Sequence, residues 1–182
     1  MCGVAGIWDF SGRSSSDDLC NEAQRMADAL IHRGPDGHGI FLDQNACIAL
    51  SHRRLSIIDL SDQGYQPMTS SCGRFTITYN GELYNTHELA SDLVRRGRRF
   101  RGHSDTEVLL ALFATEGHTM LSKLWGMFAF FIWDTVSKRG FAARDPYGIK
   151  PLYYAKSDKG WLLASQVKAI LATGFVSRDA DP

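Results

Sequence analysis

Helical spacing of apolar residues marks one long segment near the start of the chain. A first helix is predicted over Asp17–Ile31, where apolar side chains recur at Leu19, Ala23, Met26, Ala27, Leu30 and Ile31. The serines of the preceding turn, Ser11–Ser16, are candidate caps for it. Asn85 and Ser104 are each followed three residues later by a glutamate, which predicts two further helices that begin with capping boxes. A glycine stands where each should end, at Gly97 and Gly117, and a last short helix is predicted over Gln166–Thr173.

The other apolar stretches have the length and alternation of strands. Phe75, Ile77 and Tyr79 alternate with threonines, as in a strand with one buried face. Further strands are predicted at Met1–Phe10, Gly39–Leu42, Ala46–Ser51, Met127–Trp133, Gly140–Arg144, Leu152–Ala155 and Trp161–Ala164, and Leu55–Leu60 is one more apolar stretch. The strands outnumber the helices and cluster toward both ends of the chain. This pattern predicts a layered α+β domain with mainly antiparallel strands.

Composition and charge argue against several classes of protein. The 182 residues suit one domain, and 20 basic against 20 acidic side chains give zero formal net charge. A neutral chain has no bulk attraction for nucleic acid, and the arginines of Arg95–Arg101 are expected to stay solvated at a helix end. The longest apolar run, Trp125–Trp133, is shorter than the roughly 20 residues of a membrane-spanning helix. Because the start shows no signal-peptide pattern, a cytoplasmic protein without nucleic-acid or membrane partners is expected.

The histidines and cysteines show no metal-binding spacing. The six histidines include no HExxH pattern, and the four cysteines, at Cys2, Cys20, Cys47 and Cys72, include no CxxC pair. No metal site is therefore predicted. Four cysteines are also too few for a disulfide scaffold in a chain of this length, so Cys20, Cys47 and Cys72 are expected to be ordinary packing residues.

Cys2 differs from the other cysteines because it directly follows the initiator methionine. Cysteine is small enough for a preceding methionine to be removed, which would make Cys2 the N-terminal residue. An N-terminal cysteine carries a thiol nucleophile and an α-amine with a pKa of about 8, so the amine can serve as its general base. Gly3 and Gly6 follow it, where backbone has to approach a substrate closely. A Met-Cys start alone is usually incidental, so the rest of the chain has to decide.

Eight segments, in order along nearly the whole chain, carry a family resemblance. They are Met1–Ile7, His32–Gly37, Ser51–Leu60, Gln66–Met68, Tyr79–Asn85, Ser104–Val108, Gly126–Phe130 and Arg144–Tyr154. Together they resemble the class II, or N-terminal nucleophile (Ntn), glutamine amidotransferases, most closely the N-terminal glutaminase domain of glutamine-hydrolysing asparagine synthetases. The resemblance implies that residues 1–182 form one glutaminase domain with the Ntn-hydrolase fold, a four-layer αββα sandwich with two antiparallel sheets.

The resemblance also implies the catalytic groups. Cys2 would attack the side-chain amide of L-glutamine and form a γ-glutamyl thioester, releasing ammonia, while its own α-amine moves the protons. Asn80 and Gly81 match the family's oxyanion hole, to which they would contribute an amide NH₂ and a backbone N–H. Asn-Gly is also the strongest short signal for a hairpin turn, and the two interpretations are compatible.

Five further residues match the glutamine-binding positions of the family. Arg54 matches the arginine that binds the α-carboxylate through a bidentate fork, and Asp105 matches the carboxylate that binds the α-ammonium. Leu55, Ile57 and Glu82 match residues that line the glutamine site, mostly through backbone atoms. Spacing alone favours a plainer interpretation, in which Arg54 is a solvated strand residue and Asp105 an acid favoured by a helix dipole.

In the family, a C-terminal synthetase domain consumes the ammonia and uses ATP and magnesium to activate an acceptor carboxylate. This chain has no Ser-Gly-Gly-x-Asp-Ser pyrophosphate loop, so the synthetase domain is expected as a partner that lies outside it, and no cofactor is expected for the glutaminase domain. The resemblance allows a homodimer. Three alternatives stay open: an asparagine-synthetase-like enzyme with another acceptor such as a sugar acid, the phosphoribosylpyrophosphate or glucosamine-phosphate branch, and a noncatalytic glutamine-binding module.

Overall fold

The computed structural model describes residues 1–56 and 64–179. Within these ranges the strands are β1 (Gly3–Asp9), β2 (Gly37–Asp43), β3 (Ile48–Arg54), β4 (Met68–Thr69), β5 (Phe75–Leu83), β6 (Gly126–Asp134), β7 (Arg139–Arg144), β8 (Tyr153–Ser157) and β9 (Gly160–Ala164). The α-helices are α1 (Ser16–Asp28), α2 (Thr86–Arg95), α3 (Asp105–Glu116) and α4 (Val167–Leu171), with 3-10 helices at Gln44–Ala46 and Gly117–Lys123. Most of the predicted stretch Leu55–Leu60 lies outside the described residues.

The strands form two antiparallel sheets. The first has the order β2-β3-β1-β9-β8 and so combines the two ends of the chain, and the second has the order β4-β5-β6-β7 and comes from its middle. In the first sheet, β1 runs antiparallel to β3 and places Gly3 opposite Arg53. In the second, β5 and β6 pair along their full length, from Phe75 opposite Asp134 to Leu83 opposite Gly126. The predicted α+β class with antiparallel strands is confirmed.

Three apolar clusters separate four layers. Helices α1 and α4 cover the outer face of the first sheet through a cluster that includes Leu19, Met26 and Ile170. Helices α2 and α3 cover the outer face of the second sheet through Leu93, Leu109 and their neighbours. A third cluster, formed by Ile48, Leu50, Phe131 and Trp133, lies between the sheets. The expected αββα sandwich is therefore confirmed.

Strand alternation explains how β6 joins two of these clusters. Phe130 and Ile132 face the helices of the second sheet, whereas Phe131 and Trp133 face the first sheet. All four side chains are buried. Full burial of an apolar side chain contributes roughly 1.5–3 kcal/mol, so a strand that is apolar on both faces belongs in the middle of the sandwich.

The predicted serine cap of α1 is present. Asp18 N–H donates to Ser15 Oγ at 3.1 Å, and Ser15 N–H donates back to Asp18 Oδ2 at 3.1 Å, which completes a capping box. The helix ends at Asp28, three residues before the predicted Ile31. Gly97 and Gly117 follow α2 and α3 with φ of 84° and 62°, in the left-handed region that glycine tolerates best.

The capping box predicted at Asn85 is wrong. Asn85 precedes α2, but its side chain makes no cap. Its Nδ2 donates to Lys123 O at 2.9 Å and its Oδ1 accepts from Trp125 N–H at 3.1 Å. The amide therefore ties the start of α2 to the segment before β6.

The second predicted capping box forms only in part. Ser104 Oγ caps α3 by accepting from Thr106 N–H at 3.2 Å. Glu107 does not reach back to Ser104. It accepts instead from the backbone N–H groups of Arg101 and Gly102, at 3.0 Å each. This contact orders the segment that leads into α3.

Candidate active site

A cavity of about 210 Å³ lies where the start of β1 and the end of β3 meet β5 and the start of α3. Its described lining is Met1, Cys2, His52, Arg54, Leu55, Ser56, Gly64, Gln66, Tyr79, Asn80, Gly81, Glu82, Ser104, Asp105, Thr106, Met127 and Lys150. Every predicted site residue within the described ranges is in this set. The eighth, Ile57, lies outside the described residues. Residues far apart in the chain thus share one small space.

Cys2 is held from two sides, just before β1. Its Sγ accepts a hydrogen bond from Leu55 N–H at 3.4 Å and lies 3.6 Å from Leu55 O. Its carbonyl oxygen accepts from Arg33 Nε at 2.9 Å. Both the sulfur and the backbone of this residue are therefore fixed by distant segments.

The segment His32–Gly37 supports the end of β3. Asp36 N–H donates to Arg54 O at 3.0 Å. A Cβ on Gly34 would collide with the carbonyl group of Arg53, so only glycine lets this turn approach β3 so closely. The motif therefore supports Cys2, through Arg33, and the residue that presents Arg54 to the cavity.

One edge of β5 faces the cavity. The opposite edge of β5 pairs with β6 along its whole length. On the edge that faces the cavity, β4 pairs only with Thr76 and Ile77, near the start of β5. Tyr79 N–H donates to Gln66 Oε1 at 2.6 Å and Leu83 N–H donates to Asp105 Oδ2 at 3.3 Å, so both point away from β6. Because alternate residues of an antiparallel strand direct their N–H groups to the same edge, the N–H of Gly81 also points this way. The side chains of Gln66 and Asp105 thus accept the backbone N–H groups of β5 on either side of Gly81.

Asn80 adds a second donor at this edge. Its Nδ2 is buried and has no hydrogen-bond partner among the residues that the structure describes. Leaving a buried donor unsatisfied costs about 1–3 kcal/mol, so the arrangement points to an acceptor supplied by a ligand. Asn80 and Gly81 line the same cavity as Cys2. A thiol and two N–H donors around one space are groups that an acyl-transfer site can use.

The hairpin turn that Asn80-Gly81 suggests is absent. Both residues lie within β5, opposite Ala129 and Phe128 of β6. A Cβ at Gly81 would lie 2.6 Å from Tyr79 Cε2. Glycine therefore permits a close approach inside a strand here, and the local turn signal is overridden by the long pairing with β6.

Asp105 is a buried carboxylate at the first position of α3. Its Oδ2 accepts from the Tyr79 hydroxyl at 2.7 Å. Burial raises the pKa of Asp105, although the hydrogen bonds from Tyr79 and Leu83 oppose that shift. Burial and the Asp105 carboxylate together raise the pKa of Tyr79 well above its usual value, so the phenol stays protonated and donates. Such a carboxylate suits a cationic ligand group.

The two neighbouring arginines at the end of β3 point in opposite directions. Arg54 lines the cavity, and its guanidinium carbon lies 4.8 Å from the centre of the Tyr65 ring. Arg53 Nε donates to Ala27 O at 3.1 Å, and its guanidinium pairs with Asp28 at the end of α1. Strand alternation therefore delivers Arg54 to the cavity and uses Arg53 to hold α1.

Leu55 and Glu82 are placed as lining residues. Leu55 contacts Cys2 Sγ through its backbone, as described above. Glu82 is exposed, and its charge adds to the rise in the pKa of Asp105 and Tyr79. Both residues therefore line the cavity, and among the described residues neither forms a hydrogen bond with the side chain of Asn80.

Sequence reasoning did not single out His52, Gln66, Tyr79 or Lys150, all of which line the cavity. His52 is 1% exposed and its Nε2 lies 3.1 Å from Tyr79 O, to which it donates. Burial lowers the pKa of His52 to about 4, so its imidazole is neutral at pH 7. All four lie in segments that carry the family resemblance, which was the available signal, but nothing local showed that they would line the same cavity as Cys2.

The described residues form neither a metal-binding cluster nor a membrane-spanning helix. No group of three or more His, Cys, Asp or Glu side chains in residues 1–56 and 64–179 is arranged to hold a metal ion. No helix in those ranges combines the length and the apolar character needed to span a bilayer.

Comparison with known families defines the class of this protein. A family model described as "Glutamine amidotransferase domain" matches residues 1–182. The chain therefore belongs to the family of glutamine amidotransferase domains, and its sandwich of two antiparallel sheets is the Ntn type.

Individual proteins of known sequence or structure show which glutamine amidotransferases this chain resembles. Asparagine synthetase [glutamine-hydrolyzing] 3 of Bacillus subtilis is 41% identical over 177 residues, which cover 94% of this chain and 28% of that protein. Amidase chry2 of Gibberella zeae is 38% identical over 182 residues, which cover 96% of this chain and 27% of that protein. The solved structure of glutamine phosphoribosylpyrophosphate amidotransferase from B. subtilis has a TM-score of 0.77 at 26% identity, over 95% of this chain and 44% of that one. The chain is thus a glutamine amidotransferase domain like those of asparagine-synthetase-like proteins, and it spans less than a third of the two curated relatives.

Proposed function

We propose that this domain hydrolyses L-glutamine to L-glutamate and ammonia, with Cys2 as the nucleophile after Met1 has been removed. The observation that carries the proposal is the buried Asn80 Nδ2, which has no partner among the described residues and lines the same cavity as the Cys2 thiol. The N–H of Gly81 points to the same strand edge. Donors placed where negative charge develops are the largest single contribution to catalysis in many acyl-transfer enzymes.

The charges of the cavity suit a zwitterionic amino acid. Arg54 supplies a cation for the α-carboxylate, and a guanidinium can bind a carboxylate through two parallel hydrogen bonds. Asp105 supplies a buried anion for the α-ammonium. Leu55, Ile57 and Glu82 complete the proposed binding site. With both ends of the amino acid held, the side-chain amide is directed at Cys2.

The proposed acylation step begins with a proton transfer. The Cys2 thiol gives its proton to the α-amine, and Sγ attacks the amide carbon of glutamine. The carbonyl oxygen becomes an oxyanion that accepts from Asn80 Nδ2 and Gly81 N–H. When this intermediate collapses, the carbon–nitrogen bond breaks and the α-ammonium protonates the leaving nitrogen. Ammonia departs and a γ-glutamyl thioester remains on Cys2.

Hydrolysis of the thioester reverses these roles. A water molecule attacks the thioester carbon and transfers a proton to the α-amine, and the same two donors hold the new oxyanion. The carbon–sulfur bond then breaks, glutamate leaves, and the sulfur recovers a proton from the ammonium. One glutamine and one water thereby give one glutamate and one ammonia.

The ammonia is proposed to serve an asparagine-synthetase-type amidation of an acceptor carboxylate by a synthetase domain. The similarity to the B. subtilis asparagine synthetase supports this assignment. Amidase chry2 is a relative at similar identity that is not named an asparagine synthetase, so an acceptor other than that of asparagine synthetase stays the alternative. The four cysteines are free thiols, which fits a reducing compartment, and the cytoplasm is the proposed location.

Glutamate release from the purified chain tests the proposal. Protein whose intact mass shows loss of Met1 should release glutamate and ammonia in equal amounts, and Cys2→Ala should abolish release. Cys47→Ala, which changes a cysteine outside the cavity lining, is the matched control and should keep the wild-type rate. Processed protein that binds glutamine without releasing glutamate would identify a noncatalytic binding module instead.

A further inference from the structure

Lys150 buries its side chain beside the cavity. The residue is 7% exposed and lines the cavity together with Met1 and Cys2. Its Nζ donates to Met1 Sδ at 3.5 Å, and its backbone N–H donates to Asp145 Oδ2 at 3.0 Å. The ammonium therefore lies against the residue that precedes Cys2.

No described carboxylate neutralises this ammonium. Asp145 is the nearest acid in sequence, but its two oxygens accept backbone N–H groups from Phe128, Tyr147, Ile149 and Lys150 itself. Within residues 1–56 and 64–179, no Asp or Glu oxygen lies within ion-pairing distance of Lys150 Nζ. A thioether is a weak acceptor, and a buried charge without a counter-ion is costly to the fold. The ammonium is therefore held beside the cavity at a cost to stability.

Removal of Met1 changes what Lys150 faces. The thioether is lost, and the nitrogen of Cys2 becomes an α-amine at the same end of the cavity. An ammonium that lines the same small cavity as an amine disfavours protonation of that amine, because the two like charges repel where little water screens them. The amine has to be neutral to accept the thiol proton.

Other charges surround this position. Among the described residues, the charged and titratable side chains other than Cys2 that line the cavity or contact Cys2 are Arg33, His52, Arg54, Tyr79, Glu82, Asp105 and Lys150. Arg33 reinforces the effect of Lys150, since its guanidinium donates to the carbonyl of Cys2. Glu82 and Asp105 oppose it from β5 and α3, across the cavity. His52 and Tyr79 are neutral near pH 7, for the reasons given above. Lys150 is the lysine of this set and contacts the residue before Cys2 directly.

We propose that Lys150 is a positioning residue whose ammonium keeps the α-amine of Cys2 in its neutral, proton-accepting form. The inference deepens the proposed function and rests on it. It also gives a role to the Arg144–Tyr154 segment, which carries the family resemblance but contains none of the predicted site residues.

The pH profile of glutamine hydrolysis tests this role. In processed Lys150→Met, the acid limb of kcat/KM should move to higher pH by about one unit, with most of the activity restored above it. Lys150→Arg keeps the positive charge, so its limb should stay with that of the wild type. An unmoved limb in Lys150→Met, or an equal loss at every pH, would overturn the proposal.

A direct titration separates this proposal from the glutaminase assignment. In Cys2→Ala, which lacks the Cys2 thiol and is expected to be inactive, the N-terminal α-amine can be labelled by reductive ¹³C-methylation and titrated by NMR. Its midpoint should rise by about one pH unit when Lys150→Met or Lys150→Gln is added. An equal midpoint with and without Lys150 would contradict the proposal even if the protein hydrolyses glutamine. A shifted midpoint in a protein whose wild type releases no glutamate would instead refute only the proposed activity.

Discussion

The Tyr79 hydroxyl donates to Oδ2 of Asp105 at 2.7 Å and thereby joins the strand that carries Asn80 to the helix that faces it. The same oxygen accepts Leu83 N–H at 3.3 Å. One carboxylate thus fixes β5 on both sides of Gly81. The proposed anion for the substrate ammonium is therefore also a structural bridge, and its substitution has consequences for both binding and stability.

Asp105→Asn should weaken glutamine binding and stabilise the empty domain. Loss of a charged hydrogen bond to the α-ammonium, worth about 1.5–3 kcal/mol, should raise KM roughly tenfold or more. Burial raises the pKa of Asp105, so the ionised form destabilises the fold at neutral pH, and this destabilisation disappears as the pH falls below the raised pKa. Thermal unfolding at pH 8 should therefore show a higher Tm for Asp105→Asn, with the difference shrinking in acid. A lower Tm at pH 8, or an unchanged KM, would contradict this account.

Asn80→Ala should reduce turnover with little effect on KM. Removing one oxyanion donor typically lowers kcat by about 10²–10³-fold, because the donor acts mainly in the transition state. Asn85→Ala is the matched control, since that amide bonds Lys123 and Trp125 and does not line the cavity. Steady-state rates of glutamate release should show the large loss in Asn80→Ala alone. Equal losses in the two variants would indicate a general structural effect.

Arg54→Lys and Arg53→Lys should separate binding from stability. A lysine at position 54 cannot form the two parallel bonds of a guanidinium, so KM for glutamine should rise about 10- to 100-fold. Arg53 bonds Ala27 and Asp28 of α1, so Arg53→Lys should lower the free energy of unfolding and leave KM near the wild-type value. Reversal of this pattern would assign the substrate carboxylate to Arg53.

His52 should make the folded state sensitive to acid. Burial lowers its pKa to about 4, from an ordinary value of 6.5. The unfolded chain therefore binds more protons below pH 6.5, and stability is lost as the pH falls from there toward 4. Between pH 7 and pH 5 this one residue should cost about 2 kcal/mol.

Denaturant unfolding of His52→Asn checks this value. Asparagine does not titrate, so the fall in unfolding free energy between pH 7 and pH 5 should be smaller by about 2 kcal/mol than in the wild type. His118→Asn changes an exposed histidine and should keep the wild-type dependence. An identical pH dependence in His52→Asn and wild type would show that the imidazole is not held neutral.

Periodicity in the sequence predicted those parts of the fold whose partners are close in the chain. Helix α1 follows from apolar spacing because it buries one regular face, and β6 follows from an apolar run that is buried on both faces of its sheet. Spacing did not reveal which sheet each strand joins, since the first sheet combines the two ends of the chain. The four-layer arrangement came from the family resemblance, and the three apolar clusters explain it physically.

Predictions from short sequence motifs were wrong where contacts with distant residues determine the local structure. Asn80-Gly81 has the composition of a turn, yet nine-residue pairing with β6 makes it part of a strand. Asn85 has the position of a cap, yet its amide bonds the segment before β6. The contacts of His52 with Tyr79 and of Lys150 with Met1 span 27 and 149 residues, so no local pattern could predict them.

The central claim is that Cys2 is the nucleophile, and covalent labelling tests it most directly. Processed protein would be treated with a glutamine analogue that carries an electrophilic carbon in place of the side-chain amide, and the adduct located by peptide mass spectrometry. The account predicts one adduct per chain, on Cys2, slowed by excess glutamine, with Cys20, Cys47 and Cys72 unlabelled as internal controls. Labelling of those three thiols at the rate of Cys2, without protection by glutamine, would contradict it.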